Sequence, residues 1–346
     1  MKRAPSSAPG AGHTLSPPSW RVWSALSIVY VLWGGTYVAI RVMVEDVPPL
    51  LGAGARFAIA GAAMLVFLAA RGHRVRVSPR SLVAAGLVGL LLPAGGTGLV
   101  TVAERDVPAG LAALLIASVP LWLVVMRSTV GRERVHRGTL AGVAVGFCGL
   151  GLLLLPGSRP AEATAGGILL VLVAAGSWAT GSFLSPRLSM PSDPLVSTGW
   201  QMVVGGAALL AGALTTGEAN DLHLADASAK SLLAFAYLVI AGSLVAFTAY
   251  AWLLQNVPIS KVATYAYVNP LVAVLLGWAL LSEQLTIGTA AGAALIVASV
   301  AAIVRRESAS SEDAAPEPER IAVPAPESLI EEERCIKQPA VVDSVS

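Results

Sequence analysis

Long apolar segments separated by short polar connections run along most of the chain. A helix needs about 20 apolar residues to cross a hydrocarbon core about 30 Å thick, and the pattern predicts ten such spans. They are 22–42, 51–70, 81–102, 108–126, 139–155, 165–186, 195–215, 231–254, 261–281 and 286–304. The first span is too long for the apolar region of a cleaved signal peptide. The sequence therefore predicts an all-α integral membrane protein.

Composition supports this prediction and explains the small net charge. Apolar residues make up 55% of the chain and charged residues 13%, roughly half the usual charged share of a soluble domain. Residues 1–306 carry a net charge of +9, whereas residues 307–346 carry −7. The overall value of +2 is a cancellation, so it indicates no nucleic-acid partner. Segment 307–346 is rich in Ala, Pro, Glu and Ser, which predicts a disordered acidic tail.

Basic residues in alternate connections predict the orientation of the spans. Segment 1–21 carries three Lys or Arg residues, and segments 71–80 and 127–137 carry four Arg each. The intervening connections are poorer in basic residues. Because cytoplasmic connections are enriched in Lys and Arg, this pattern places both termini in the cytoplasm. We expect a multi-pass protein of a bacterial inner membrane.

The chain resembles itself at a shift of 145 residues in its early part and 150 residues later. The aligned pairs include rare residue types in unbroken order: Trp33 with Trp178, Pro49 with Pro194, Pro108 with Pro258, Pro120 with Pro270 and Glu133 with Glu283. Residues 22–155 and 165–304 then form two repeats of five spans each. An odd number of spans makes the second repeat enter the membrane from the opposite side, so the sequence predicts inverted repeats, an architecture of many secondary transporters.

Two stretches within these repeats resemble a known family. Residues 32–41 read LWGGTYVAIR, and residues 265–277 read YAYVNPLVAVLLG, the more specific of the two. Both are similar to EamA-domain proteins of the drug/metabolite transporter superfamily, within an inner-membrane branch. The resemblance implies ten helices in two EamA repeats and efflux of metabolites, amino acids or drugs. It does not name one cargo, and the acidic tail lies outside the family pattern.

Prolines inside the spans predict breaks near the middle of the membrane. Pro120 and Pro270 each follow another proline by 12 residues, about 18 Å along a helix. Pro93 begins a Pro-Ala-Gly-Gly sequence in the third span, and Gly242-Ser243 lies at the matching depth in the eighth. A proline frees a backbone carbonyl, which is tolerated in a membrane only inside protein or beside a cavity. We expect a central cavity, with a kink that serves packing alone as the alternative.

Aromatic and polar side chains near these breaks are candidates to line the cavity and contact a small-molecule substrate. They are Trp33, Tyr37, Thr97, Trp122, Trp178, Gln201, Tyr250, Tyr265, Tyr267 and Asn269. Tyr and Trp combine a broad apolar face with one hydrogen-bonding edge, which suits amphipathic solutes. Packing between helices, or contact with membrane lipid at the interface, is the alternative for each aromatic residue. Asn269 should find a hydrogen-bond partner in the membrane.

Arg56 is the ionisable residue that lies inside the second span. Its repeat partner is the neutral Gln201. Ionisable side chains within spans are rare and usually functional or paired. Arg56 therefore either attracts an anionic group of a substrate or pairs with Glu104 at the end of the third span.

The remaining residues weigh against other classes of protein. The spans contain no His and no deep carboxylate, which argues against an intramembrane enzyme. Cys148 and Cys335 have no metal-ligand spacing, so we expect no metal and no cofactor. No ATP-binding loop is present, so a gradient must drive transport. A secondary transporter is the leading hypothesis; the alternatives are a lipid or nucleotide-sugar type exchanger and a non-transporting scaffold or receptor.

A ladder of small residues on the fifth span predicts a close helix contact. Gly138, Gly142 and Gly146 are spaced four residues apart, and Gly288 and Gly292 repeat the pattern on the tenth span. Such ladders let two helices approach closely. The ladder serves either packing within one chain or a homodimer.

The predicted orientation is testable by labelling single cysteines. In a variant without Cys148 and Cys335, cysteines placed at Ser78 and at Ala225 should react with an impermeant reagent from opposite sides of the membrane. Reaction from the same side would contradict the inverted repeats.

Overall fold

The computed structural model describes residues 18–133, 135–155, 163–222, 227–257, 259–262 and 264–313, and these residues form helices and short connections without a strand. We number ten helical elements in chain order. They are α1 (Ser19–Met43), α2 (Pro49–Ala70), α3 (Pro79–Gly89, Leu90–Gly98 and Leu99–Ala103), α4 (Ala109–Ile116 and Val119–Thr129), α5 (Arg137–Leu154), α6 (Ala165–Leu184), α7 (Pro194–Thr216), α8 (Ala229–Tyr237, Leu238–Val245 and Ala246–Asn256), α9 (Ile259–Val262 and Tyr265–Leu281) and α10 (Ile287–Asp313).

Each of the ten predicted spans coincides with one of these helical elements. Within the described ranges, eight of them are long and apolar enough to cross a membrane, and two are shorter apolar helices, Arg137–Leu152 and Tyr265–Leu281. For the residues that it describes, the structure therefore confirms an all-helical fold with eight helices that are long and apolar enough to span a membrane.

The start of the acidic tail differs from the prediction, because α10 continues to Asp313. Residues 307–313 are thus helical, as the apolar helix simply runs on into the polar sequence. The residues from Ala309 onward form a separate unit, and those after Asp313 lie outside the described residues, as do most of segment 1–21 and Ala225.

The two halves share local structure where the sequence repeat pairs them. Ser78 and Ser228, 150 residues apart, begin α3 and α8 and accept hydrogen bonds from the amides of Ser81 and Ser231 at 3.1 and 3.2 Å. Such serine caps satisfy amides that have no partner within the helix. Each half thus starts its third helix in the same way.

The connections after α4 and α9 also match each other. Arg132 and Ser282, again 150 residues apart, are non-glycine residues with positive φ, at 52° and 55°. The amide of the following glutamate donates to a carbonyl six residues earlier, Glu133 to Arg127 at 2.9 Å and Glu283 to Gly277 at 3.2 Å. Both helices therefore end in the same turn, and each turn presents a glutamate.

Helix contacts in one half are matched by contacts between the corresponding helices of the other. The contact of α1 with α8 corresponds to that of α6 with α3, and the contact of α1 with α9 corresponds to that of α6 with α4. Repeat-related helices also pack on each other, α2 on α7 and α4 on α9. The glycine ladder of α5 packs within the chain, because Ser299 of α10 donates to the carbonyl of Gly142 at 2.5 Å.

Glycines bring the backbones of α2 and α7 into direct contact. A Cβ added at Gly206 would lie 2.5 Å from the amide nitrogen of Ala58, and one added at Gly61 would lie 2.8 Å from the carbonyl oxygen of Gly199. Neither backbone atom could move without shifting its whole helix. Small residues at such positions let membrane helices pack closely. This packing matters because the hydrophobic effect does not drive association between helices that already lie in lipid.

This contact predicts different effects for two alanines on the same helix. Gly206→Ala should destabilise the protein by about 1–3 kcal/mol, because the added methyl group forces α2 and α7 apart. Gly212→Ala is the matched control, since its Cβ would meet only the Leu50 Cδ1 atom at 3.7 Å. Thermal unfolding in detergent measures both. Equal melting temperatures for the two variants would contradict the close contact.

Candidate functional site

Two helices near the middle of the fold depart from regular α-helical hydrogen bonding. Leu90–Gly98 of α3, which contains Pro93, and Leu238–Val245 of α8, which contains Gly242 and Ser243, are π-helical. Such segments widen the helix and leave carbonyls available to side chains, and they are frequent at functional sites. The interruptions lie where Pro93 and the Gly-Ser pair predicted them.

Side chains of the two repeat-related helices α1 and α6 hold the carbonyls of these segments. The Trp33 Nε1 atom of α1 donates to the carbonyl of Gly242 at 3.1 Å, and the Ser177 hydroxyl of α6 donates to that of Leu91 at 2.8 Å. Ser177 precedes Trp178, the repeat partner of Trp33. Each irregular helix is therefore stabilised by the first helix of the opposite repeat.

Four aromatic rings from three helices form one group, which we call the aromatic cluster: Trp33, Phe247, Tyr250 and Tyr265. The Trp33 ring centre lies 5.1 Å from that of Phe247, 5.0 Å from Tyr250 and 5.4 Å from Tyr265. Tyr250 and Tyr265 are 5.6 Å apart and nearly perpendicular. Three of these residues were predicted from the sequence. The sequence analysis did not predict Phe247 as a member of this group. The one signal for it in the sequence is its position one helical turn before Tyr250.

A second group of predicted residues lines a small internal cavity. Pro93 and Thr97 of α3, Trp178 of α6 and Gln201 of α7 surround a volume of about 20 Å³, and Phe247 of the aromatic cluster closes it on one side. A space of this size holds about one water molecule. An organic solute would fit only after neighbouring helices move apart.

The other predicted residues lie elsewhere. Tyr37 and Tyr267 pack against the apolar core formed mainly by α4, α6 and α10, and the ring centres of Trp122 and Phe147 lie 5.2 Å apart. Helix α4 is interrupted just before Pro120, between Ile116 and Val119. Pro270, by contrast, lies inside the continuous stretch Tyr265–Leu281, because α9 places its irregular turn earlier, at Thr264.

Asn269 differs from the prediction. Its side chain is buried, yet the amide oxygen has no hydrogen-bond partner among the described residues. The backbone of α9 at Asn269 packs closely on α1, since a Cβ at Gly34 would lie 3.1 Å from the Asn269 backbone carbonyl oxygen. An unsatisfied buried acceptor costs about 1–3 kcal/mol. Asn269 therefore offers an acceptor that the protein itself does not use.

Arg56 and Glu104 are both buried and lie within electrostatic range of each other. Arg56 Nε donates to the Ser243 hydroxyl at 2.9 Å, within the irregular part of α8. In the part of the chain that the structure describes, the Arg56 Nη1 atom and both carboxylate oxygens of Glu104 have no hydrogen-bond partner. The predicted pair is thus close, without a direct hydrogen bond between the two side chains.

Two glutamates paired by the sequence repeat make different contacts. The carboxylate of Glu283 accepts hydrogen bonds from the amides of Ala109 at 2.6 Å and Gly110 at 2.9 Å, the first residues of α4. A carboxylate is favourable there, because the first amides of a helix lack partners and carry partial positive charge. We call this contact the Glu283 cap. The sequence repeat marked both glutamates, but it did not indicate this role.

Glu133 binds two arginines instead. Its carboxylate accepts from Arg127 Nε at 2.6 Å and from Arg187 Nη2 at 3.1 Å. The hydrogen bond from Arg127 is the main cause that lowers the pKa of Glu133 below its usual value. The residues that correspond to Ala109 and Gly110 are Ile259 and Ser260, at the start of α9. Repeat-related carboxylates therefore hold different partners in one structure.

Comparison with known proteins identifies the family of the chain. The model of the EamA-like transporter family matches twice, over residues 21–155 and 165–305. The chain belongs to the EamA-like transporter family. Its two matches confirm the resemblance stated above, and they make this membrane protein a member of a transporter family.

Several relatives of this EamA-family chain are transporters by name. It is 38% identical over 266 residues to YedA of Escherichia coli (strain K12), an uncharacterized inner membrane transporter, covering 77% of this chain and 84% of YedA. It is 27% identical over 278 residues to a probable amino-acid metabolite efflux pump of the same strain, and the match covers 78% of this chain and 90% of the efflux pump. A crystal structure matches with a TM-score of 0.58 at 23% identity, over 84% of this chain and 99% of that chain, which shows the fold alone.

The unused acceptor of Asn269 gives a prediction for this EamA-family site. Asn269→Leu roughly keeps the side-chain volume and removes a buried polar group, so the melting temperature in detergent should stay equal or rise. If the amide contacts solute, the apparent affinity for a transported solute should fall severalfold, the equivalent of about 0.5–1.5 kcal/mol for one hydrogen bond. Liposome uptake and thermal melting are measured together. Unchanged transport in a well-folded variant would remove Asn269 from the site.

Proposed function

We propose that the chain is a secondary transporter that exports small organic solutes across a bacterial inner membrane by alternating access. Ten transmembrane helices form two inverted EamA repeats, with both termini in the cytoplasm. The observation that carries the proposal is the unequal state of the repeat-related carboxylates, Glu283 on a helix terminus and Glu133 on two arginines. Family membership and the names of the relatives support transport as the activity.

The pairing of contacts between the halves supports inverted repeats. Contacts of α1 with α8 and α9 have counterparts in contacts of α6 with α3 and α4. Repeats of five helices related in this way enter the membrane from opposite sides, and a site between them is then exposed by rocking one bundle against the other. In the proposed orientation, the Glu283 cap lies on the outer side and Glu133 on the cytoplasmic side.

The two carboxylates act as alternating closures in this proposal. The Glu283 cap joins the connection after α9 to the start of α4 and closes the outer side. On the cytoplasmic side, the equivalent closure joins Glu133 to the amides that begin α9 at Ile259 and Ser260. Arg127 and Arg187 hold Glu133 away from it in the present state. Exchange between the two states breaks one closure and forms the other.

The difference between the sides has a cause in the sequence. Gly277 leaves room for the Glu283 carboxylate, since a Cβ there would lie 2.5 Å from Glu283 Oε2. The repeat partner of Gly277 is Arg127, which binds Glu133 directly. Exchanging Arg127 for glycine would remove one ligand of Glu133. The sequence therefore favours the state that is closed outside and open to the cytoplasm, from which an exporter loads its solute.

The cargo is a small amphipathic molecule with an apolar or aromatic part and at least one hydrogen-bond donor. The aromatic cluster offers apolar faces with polar edges, and Asn269 offers an unused acceptor. The cavity of about 20 Å³ borders this cluster at Phe247 and has to widen to admit such a solute. Solute or ion gradients supply the driving force.

Reconstituted protein tests the function. Liposomes that contain the full-length protein and are loaded with mixed amino acids and aromatic amines should release at least one of these solutes faster than equally loaded liposomes without protein. Release is measured with and without a pH gradient. Glu283→Ala and Glu133→Ala should each slow the release about 2- to 30-fold, since a helix cap contributes about 0.5–2 kcal/mol.

Glu45→Ala is the matched control, because Glu45 is an exposed connecting residue whose contact with Lys230 is 3.6 Å long. It should transport like the original protein. No release of any tested solute would count against export. If the Glu283→Ala and Glu133→Ala variants release solute at the same rate as Glu45→Ala, the closures are contradicted, while export is not.

A further inference from the structure

A groove of about 830 Å³ opens between α1, α2 and α8, at the end of the fold where α1 begins and α2 ends. Its walls are the side chains of Ile28, Ala63, Phe67 and Leu244 and their neighbours, and Trp20 and Trp252 lie at its mouth. This volume lies within the range of pockets that bind small molecules. None of the groove residues belongs to the lining of the central cavity.

The groove is as deep as one leaflet of a bilayer. From Trp20 to Ile28 along α1, and from Trp252 to Leu244 along α8, the lining extends over eight residues, or about 12 Å at the rise of an α-helix. Half of the hydrocarbon core is about 15 Å thick. The groove therefore reaches from the interface to near the membrane centre, as the acyl chain of a lipid does.

Positive charge lies at the interfacial end of the groove. Arg21 lines the mouth, and the guanidinium carbon of Arg71 lies 5.1 Å from the ring centre of Phe67, a groove residue. The connection 71–80 contains four Arg and no acidic residue. Basic pockets between transmembrane helices bind the head groups of anionic lipids.

We infer that this groove binds an anionic phospholipid, with one acyl chain between α1, α2 and α8 and the phosphate between Arg21 and Arg71. Apolar walls that end in arginines match the two parts of such a lipid. In the proposed orientation the lipid belongs to the cytoplasmic leaflet. The site does not depend on whether the protein exports a solute.

Two other occupants fit the groove less well. Residues 1–17, which lie outside the described residues, carry Lys2 and Arg3 and few large apolar side chains, so they match neither the apolar walls nor the basic mouth. A transported solute would need a path to the central cavity. Leu244 and Thr248 of α8 face the groove, whereas Phe247 faces the cavity, so α8 separates the two spaces.

Two neighbouring alanines of α2 provide a matched pair of variants. Ala62 and Ala63 are both exposed, but only Ala63 lines the groove. Ala63→Trp should fill the groove without a steric clash in the core, and Ala62→Trp should add the same side chain outside it. For the head group, Arg21→Gln and Arg71→Gln are compared with Arg80→Gln, an exposed arginine at the start of α3. Arg21 lines the groove and Arg71 contacts its residue Phe67, whereas Arg80 does not line it.

The experiment measures lipid binding to the full-length protein in detergent by native mass spectrometry, together with the thermal shift. Phosphatidylglycerol should bind and raise the melting temperature more than phosphatidylcholine with the same acyl chains, and glycerol phosphate alone should do neither. Arg21→Gln and Arg71→Gln should each weaken phosphatidylglycerol binding about fivefold. Ala63→Trp should abolish it, while Ala62→Trp and Arg80→Gln should retain it.

Equal binding of phosphatidylglycerol and phosphatidylcholine would overturn the inference. So would equal binding by the Ala63→Trp and Ala62→Trp variants, provided that both melt like the original protein. Stabilisation by glycerol phosphate alone would assign the arginines to a free anion instead of a lipid. If phosphatidylglycerol bound only after removal of residues 1–17, that segment would be the occupant of the groove in the full-length protein, and the inference would be overturned.

Discussion

Backbone polar groups have no water to bind inside a bilayer, and this constraint determines where the helices of this protein can be irregular. Each freed group must find a partner within the protein. The π-helical segments of α3 and α8 meet the requirement with donors from α6 and α1, Ser177 and Trp33. These two irregular segments thus lie where the two repeats contact each other. The aromatic cluster meets the small cavity at Phe247, which belongs to both.

The same constraint acts at the helix ends. The first amides of α4 are satisfied by the Glu283 carboxylate, a side chain from the other repeat. A cap of this kind is worth about 0.5–2 kcal/mol, enough to bias two packings of the helices but not to lock either. Glu133 has the same backbone turn and different partners. A transporter with two states requires two packings of nearly equal free energy. The two glutamates share the same local backbone structure and differ only in a few weak contacts, so those contacts decide which state is favoured.

Much of the fold was predictable from the sequence, and the site only in part. Ten apolar segments and Trp, Pro and Glu residues at a fixed shift predicted the helices and the repeat, because membrane helices need long apolar runs. Pro93 and Gly242-Ser243 lie inside the two π-helical segments, and residues of both kinds weaken helical hydrogen bonding. The aromatic cluster was only partly predicted, because Phe247 has no feature that separates it from lipid-facing residues. Asn269 was expected to find a partner, but no sequence pattern records which polar atoms are left unsatisfied after packing. The Glu283 cap needed the structure, since it joins residues more than 170 positions apart.

The central claim is that Glu283 and Glu133 close opposite sides of the protein in alternation. Distances between spin labels in lipid nanodiscs test it most directly, with one pair at Arg105 and Gln284 beside the Glu283 cap and another at Val130 and Lys261 beside Glu133. All four residues are exposed in the structure. With Cys148 and Cys335 removed, Glu283→Ala should lengthen the first distance and shorten the second, because loss of one closure favours the other. If Glu283→Ala leaves both distance distributions unchanged in a folded protein, the alternating closures are contradicted.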